Sequence, residues 1–123
     1  MGARLLVNID VDDLPRAIAF YTQAFGLSTG RRFGDGGIEL LGAEAPIYLL
    51  AKPPGSLACS ASGQTRSYER HWTPVHLDFV VDDLPAAIDR AVAAGAVTQL
   101  LTPEHDGSDM LRRLDQHRVD PAW

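Results

Sequence analysis

The chain contains the same eight-residue motif twice, and this repeat constrains its fold more than any other feature. The segment VDDLPRAI at residues 11–18 recurs as VDDLPAAI at residues 81–88, where Ala86 replaces Arg16 as the only difference. Each copy follows an apolar run and leads into a helix-like stretch that ends at a glycine. A repeat of this kind indicates two copies of one structural unit within the chain.

Each copy of the motif predicts a strand followed by a capped helix. The runs at residues 5–11 and 75–81 are rich in branched apolar residues and place polar side chains at alternate positions. The aspartates of the motif supply an N-cap and favourable charge at a helix N-terminus, and the proline falls in the first turn. Helical spacing predicts two buried stripes, one formed by Leu14, Ile18, Tyr21 and Phe25 and the other by Leu84, Ile88 and Val92.

Three further strands are predicted after the first helix, at residues 28–33, 38–41 and 47–51. The first module, over residues 4–52, therefore has the order β-α-β-β-β. Residues 53–71 are rich in proline, glycine and serine and show no apolar period, so we interpret them as a linker.

The second module, over residues 72–123, is predicted to contain a strand at 74–81, a helix at 83–94 and a strand at 96–101. It has no recognisable counterpart of the last strand of the first module. We therefore predict a single α+β domain over residues 1–123. It is built from two βαβββ modules, the second incomplete, whose curved mixed sheet forms a cleft.

Composition and charge exclude several classes of protein. The 46% hydrophobic and 22% charged residues are typical of a globular domain, and no apolar stretch approaches the roughly 20 residues that cross a bilayer. A net charge of −5 argues against a nucleic-acid partner, which requires a basic face. The single cysteine, Cys59, forms no internal disulfide, and the N-terminus has no signal-peptide pattern. We expect a cytoplasmic protein; the preference for arginine over lysine is typical of a GC-rich bacterial genome.

These motifs resemble those of the vicinal oxygen chelate superfamily, which includes glyoxalase I, extradiol dioxygenases and fosfomycin- and bleomycin-resistance proteins. The resemblance rests on the NIDVDDL run at residues 8–14, the AFY and FGL triplets of the first helix, and the HLDFVVDDL run at residues 76–84. It implies paired modules whose sheets curve into an incomplete barrel around a cleft. Because this fold hosts several chemistries and also plain binding proteins, the resemblance does not fix an activity.

The resemblance also implies where a metal would bind. In the metal enzymes of the superfamily, the ligands lie on the inner faces of the first and last strands of each module. His76 occupies the first-strand position of the second module, whereas the repeat places the apolar Leu6 at the matching position of the first. The last strand of the first module offers Tyr48 or Leu49 where the enzymes place a carboxylate or a tyrosine. A divalent metal needs several such ligands around an open position, so we expect none bound by this chain alone.

Four side chains are predicted to contact a ligand in the cleft, namely Glu39, Tyr48, Trp72 and His76. Glu39 is either a base that faces the cleft or a solvent-facing carboxylate. Trp72 either stacks on the ligand or is a core aromatic residue. His76 either orients the ligand or holds a metal, or it is a half-buried histidine that is hydrogen-bonded to its neighbours.

Two main functions are consistent with these residues. The first is a binding protein of the glyoxalase and bleomycin-resistance type, which holds a small, partly apolar molecule in the cleft between the modules without a metal. The alternative is a divalent-metal-dependent lyase or dioxygenase, with His76 as one ligand and a second chain completing the site. A third is a copy with a purely structural role. Because the incomplete second module leaves a sheet edge unpaired, and because superfamily members commonly dimerise, we expect a homodimer.

Overall fold

A computed structural model describes residues 2–69, 71–75 and 77–96, and these residues form an α+β fold. A four-stranded mixed sheet carries a helix on one face, and a short hairpin and a second helix follow it. The elements in chain order are β1 (Val7–Val11), α1 (Leu14–Phe25), β2 (Ser28–Arg32), β3 (Gly37–Leu41), β4 (Ile47–Ala51), β5 (Leu57–Cys59), β6 (Gln64–Thr65) and α2 (Leu84–Ala93). The predicted α+β class and the β-α-β-β-β order of the first module are confirmed.

The sheet of the first module has the strand order β1-β4-β3-β2. Strand β1 is parallel to β4, and the other neighbours are antiparallel. Parallel pairing requires a crossover connection, and α1 lies within that connection and covers one face of the sheet. Because successive strand residues point to opposite faces, the other face carries a separate set of side chains. We call it the open face; it includes Asn8, Asp10, Glu39, Tyr48 and Leu50.

The ends of α1 follow the sequence signals closely. The side chain of Asp13 accepts a hydrogen bond from the backbone N–H of Arg16 at 3.1 Å, as an N-cap should. Pro15 lies in the first turn, where a missing N–H costs little. The helix ends at Gly26, which adopts the left-handed conformation with φ of 66° and thereby terminates the helix without strain on a side chain.

The hydrophobic core lies between α1 and the sheet. On the sheet side, Ile38 and Leu40 of β3 and Ile47 and Leu49 of β4 are each at most 3% exposed. The helix contributes Leu14, Ala17, Phe20, Tyr21 and Ala24 to the same cluster. The predicted stripe on α1 is therefore buried along its centre, with Ile18 and Phe25 partly buried at its margins.

The second helix packs against α1 through small residues. Ala87 and Ala91 are buried, whereas Val92, which was predicted to lie in the buried stripe, is 47% exposed. Because small side chains allow a short distance between helix axes, α2 buries this alanine face and leaves Val92 exposed. The side chain of Asp83 caps α2 through the N–H of Ala86 at 3.1 Å, as the repeat predicts.

The segment after β4 contains a hairpin that the linker interpretation did not predict. Strands β5 and β6 pair in antiparallel fashion, and Arg66 fixes this hairpin to the sheet. The Arg66 Nε donates to Asp10 Oδ2 at 2.7 Å, and its Nη1 donates to the carbonyl of Leu57 at 2.7 Å. The Tyr68 hydroxyl also donates to the carbonyl of Lys52 at 2.8 Å. Long-range polar contacts of this kind leave no periodic signal in a sequence.

The predicted first strand of the second module is not observed. Residues 74, 75 and 77–81 are described and lie in no strand. A strand needs a neighbour to bond its N–H and C=O groups, as β4 does for β1, and no described strand lies beside these residues. Except for Ala96, the strand predicted at 96–101 lies outside the described residues.

Candidate functional site

Strand register places two of the predicted site residues side by side on the open face. Glu39 of β3 lies directly opposite Tyr48 of β4, and Tyr48 lies directly opposite Asn8 of β1. A polar row therefore crosses three strands on the side of the sheet away from α1. In each strand the apolar residues on either side of this row point into the core, so the polar side chains must lie on the opposite face of the sheet.

Four residues form a connected cluster around this row, which we call the Glu39 cluster: Arg31, Phe33, Glu39 and Tyr48. The backbone N–H of Arg31 donates to Glu39 Oε1 at 3.3 Å, and the guanidinium Nη2 of Arg31 donates to Glu39 Oε2 at 3.3 Å. The Tyr48 hydroxyl donates to Glu39 Oε2 at 3.2 Å and accepts from Arg31 Nη2 at 2.8 Å. The Phe33 ring lies 4.9 Å from the Tyr48 ring and 5.7 Å from the Arg31 guanidinium carbon.

The carboxylate of Glu39 lies beneath this cluster and not at its surface. The Glu39 side chain is 11% exposed, whereas that of Arg31 is 69% exposed. Glu39 is thus neither a solvent-facing carboxylate nor an unpartnered one. The N–H of Arg31, the guanidinium of Arg31 and the Tyr48 hydroxyl all stabilise the charged form, so they hold the pKa of Glu39 below its ordinary value.

This lowered pKa predicts a stability that depends on pH. A carboxyl whose pKa is lower in the folded chain contributes stability above its unfolded value, and that contribution is lost as the pH falls through the folded value. We therefore expect the melting temperature to fall between about pH 5 and pH 3, and to fall less steeply in Glu39→Gln. Glu44→Gln removes an exposed carboxylate from the loop between β3 and β4 and should keep the wild-type slope. Equal slopes in all three proteins would contradict this prediction.

Sequence reasoning missed Arg31 and Phe33 as site residues. The sequence does not single out Arg31, because its approach to Glu39 depends on the register of β2 against β3. That register shifts between Thr29 and Arg32. Such an irregularity changes the direction in which side chains point, and the alternation of apolar and polar residues does not predict it. The turn between the two strands, with its run of glycines, was the one available signal that β2 and β3 are neighbours.

The other two predicted site residues are not part of the Glu39 cluster. Trp72 is 78% exposed and makes none of the ring contacts found in the described part of the chain, so it is not a core aromatic residue there. His76 lies outside the described residues. The structure thus brings Glu39 and Tyr48 together and does not join Trp72 to them.

The described side chains do not fit a divalent metal. No group of three or more His, Cys, Asp or Glu side chains that could hold an ion occurs among residues 2–69, 71–75 and 77–96. Leu6, at the position where the superfamily places a first-strand ligand, is apolar and 43% exposed. The oxygens of Glu39 are already bonded to Arg31 and Tyr48, which leaves them poorly suited to a cation.

A cavity of about 430 Å³ lies between the first module and the start of the second. Phe25 stacks on Phe79 at 3.9 Å beside it, and the loop at residues 42–45 and the segment at 77–81 form much of its wall. None of the Glu39 cluster lines it, and neither does Trp72, so the predicted ligand-contacting residues that the structure describes do not belong to this cavity.

The described architecture defines a class of protein. A βαβββ module with a helix on one face of its sheet is the architecture of the vicinal oxygen chelate superfamily. The family profile described as the Glyoxalase-like domain matches residues 6–119, nearly the whole chain. The chain therefore belongs to the glyoxalase-like domain family, as the repeated motifs predict.

Solved structures show the same fold at low sequence identity. The fosfomycin resistance protein FosX of Listeria monocytogenes, solved as a mutant with Mn(II) and 1S,2S-dihydroxypropylphosphonic acid, is 18% identical with a TM-score of 0.62; the match covers 84% of this chain and 73% of that one. An Arabidopsis thaliana gene product is 23% identical with a TM-score of 0.55, over 83% and 79% of the two chains. Lactoylglutathione lyase of Agrobacterium tumefaciens is 17% identical with a TM-score of 0.52, over 81% and 75%.

No curated protein sequence matches the chain significantly. Neither helix in the described ranges has the length and apolar character that crossing a bilayer requires.

Proposed function

We propose that the open face of the sheet binds a small, partly apolar molecule without a metal. The observation that carries this proposal is the Glu39 cluster, in which a buried carboxylate holds a tyrosine hydroxyl and a guanidinium in place beside an exposed ring. Phe33 is 41% exposed and supplies apolar surface, while Tyr48 supplies both a ring and a polar atom. A few fixed polar groups beside aromatic surface are typical of small-molecule sites.

The state of Glu39 favours binding over proton transfer. An efficient general base has a pKa near the working pH, whereas the surroundings of Glu39 lower its pKa. Its two oxygens accept three hydrogen bonds from Arg31 and Tyr48, and these bonds orient the donors. Glu39 therefore acts as a support that positions the groups around it.

Tyr48 is the group within this cluster that meets the ligand. A phenol hydroxyl has one donor and two acceptor sites. The donor goes to Glu39 and one acceptor site receives Arg31 Nη2, so one acceptor site is left for a ligand. A hydroxyl or amide N–H on a small aromatic molecule satisfies that site while its ring packs on Phe33.

The proposal is tested with benzyl alcohol and phenylacetamide as neutral aromatic probes. In two-dimensional NMR titrations of protein treated with a chelator, we expect saturable shifts at the amides of Phe33, Glu39 and Tyr48. Tyr48→Phe removes the hydroxyl and should weaken binding roughly fivefold to tenfold, the value of about one hydrogen bond. Tyr68→Phe is the matched control, because Tyr68 bonds the Lys52 carbonyl outside the cluster.

Metal analysis of the purified protein separates this proposal from the metal-dependent alternative. One tightly held divalent ion per chain, or probe binding that appears only after Mn(II) is added, would overturn the metal-free form. His76→Ala would then be expected to lose the ion, since His76 is the predicted first-strand ligand. Shifts confined to residues away from the open face would overturn the location of the site.

We also propose that the protein is a homodimer. β1 is an edge strand of the described sheet, and Leu5 and Leu6 immediately before it are 70% and 43% exposed. An edge strand beside exposed apolar residues is a surface that proteins usually cover. Light scattering should give twice the mass of the chain, and a monomer mass at high concentration would contradict the proposal.

A further inference from the structure

We propose that the ligand of the open face is a small carboxylate that carries an aromatic ring, and that Arg31 selects it by charge. This inference rests on the proposed function and adds the chemical class of the ligand. It follows from which atoms of the Glu39 cluster are already bonded and which face solvent.

The hydrogen-bond donors of the Arg31 guanidinium fall into two groups, those bonded within the Glu39 cluster and those that are not. Arginine has five N–H donors, and the two on Nη2 are directed to Glu39 and Tyr48. The Nε and Nη1 donors of Arg31 make no hydrogen bond within the described part of the chain. The inner end of the guanidinium is therefore occupied, and the donors on its other atoms are available to a ligand acceptor.

A ligand that approaches the Glu39 cluster from solvent meets positive charge first. Glu39 neutralises part of the Arg31 charge, but the carboxylate lies beneath the cluster at 11% exposure and the guanidinium lies above it at 69%. Because the positive group is the outer one, the side of the cluster that faces solvent presents donors and positive charge. Acceptor groups with negative charge form the strongest hydrogen bonds to such donors.

The exposed ring of Phe33 lies beside the charge of Arg31. The guanidinium carbon of Arg31 lies 5.7 Å from the centre of the Phe33 ring, within the range of a cation–π contact. Phe33 in turn lies 4.9 Å from Tyr48, so one exposed apolar surface adjoins the free donors. A ligand with a carboxylate one or two bonds from a ring can reach both surfaces at once.

The test compares mandelate with mandelamide, which have the same ring and the same hydroxyl donor for Tyr48 and differ in charge. We expect mandelate to bind roughly tenfold more tightly, because a charge-assisted hydrogen bond exceeds a neutral one by about that factor. Arg31→Gln should remove this preference, because the side chain that distinguishes the two probes by charge is gone. Arg32→Gln is the matched control: Arg32 is the next residue of β2, is exposed and makes no described ion pair, so its replacement should keep the preference.

The outcomes distinguish this inference from the function on which it rests. Equal affinity for the two probes, or a preference that survives Arg31→Gln, would overturn the assignment of a carboxylate ligand while binding at Tyr48 still supports the proposed function. If neither probe shifts the amides of Phe33, Glu39 and Tyr48, both proposals fail. Circular dichroism of Arg31→Gln verifies that a loss of preference is not a loss of the fold.

Discussion

Replacement of Leu49 by alanine is expected to lower the free energy of unfolding by about 3 kcal/mol. Leu49 lies at the centre of β4 with 0% of its surface exposed, between Ile9 of β1 and Ile38 of β3 in the strand register. Removing its branched end takes apolar contact from both neighbouring strands and leaves a cavity beneath α1. Urea unfolding with an unchanged m-value would measure this loss as a lower midpoint.

The control for this prediction is Leu41→Ala at the end of β3. Leu41 is 40% exposed, so the same chemical change should cost about 1 kcal/mol or less. Tyr48→Phe provides a second contrast, since it changes the residue next to Leu49 on the opposite face and should affect ligand binding more than stability. A cost at Leu49 no greater than at Leu41 would mean that the core does not lie between α1 and the sheet.

Local signals in the sequence predicted most of the first module. The caps at Asp13 and Asp83, the turn that joins β2 to β3 and the end of α1 at Gly26 all depend on residues a few positions apart. Strands β3 and β4 follow the predicted 38–41 and 47–51 to within one residue. Such elements are predictable because their determinants are close in sequence.

Features that depend on distant partners were not predicted. The run at 74–81 has the composition of a strand, but none of the strands that the structure describes lies beside it. The hairpin of β5 and β6 is fixed by Arg66 through Asp10, across 56 positions of sequence. In both cases the outcome depends on which chain segment lies alongside, and apolar periodicity carries no information about that.

The candidate site was predicted in part for the same reason. Glu39 was singled out by its place in a predicted strand and Tyr48 by the resemblance to the superfamily, and the register then placed them opposite each other. Arg31 reaches Glu39 only because β2 has an irregular register, so the buried state of the Glu39 carboxylate could not be inferred from the sequence. The lowered pKa of Glu39 depends on β2, because that strand supplies Arg31.

Replacement of Gly30 by alanine is expected to disrupt the Glu39 cluster while leaving the fold intact. A Cβ atom at Gly30 would lie 2.5 Å from Glu39 Oε1, closer than such atoms approach in proteins, and would crowd Leu41 Cδ1 at 3.1 Å and Glu39 Cδ at 3.2 Å. Because these atoms belong to the ends of flexible side chains, the carboxylate can move away at little cost to folding. In moving, Glu39 gives up the hydrogen bond from the N–H of Arg31, the largest cause of its lowered pKa.

Two measurements separate this effect on the site from a general effect on stability. In the Gly30→Ala variant, the pKa of Glu39, followed by the shift of its carboxyl carbon, should rise toward the ordinary glutamate value of about 4.3. Affinity for the aromatic probes should fall roughly tenfold, since Arg31 and Tyr48 lose the support that orients them. Gly36→Ala is the matched control, because a Cβ at Gly36 meets nothing within 4 Å. An unchanged Glu39 pKa in Gly30→Ala would show that the carboxylate is held without the Arg31 N–H, and that the close approach at Gly30 does not shape the site.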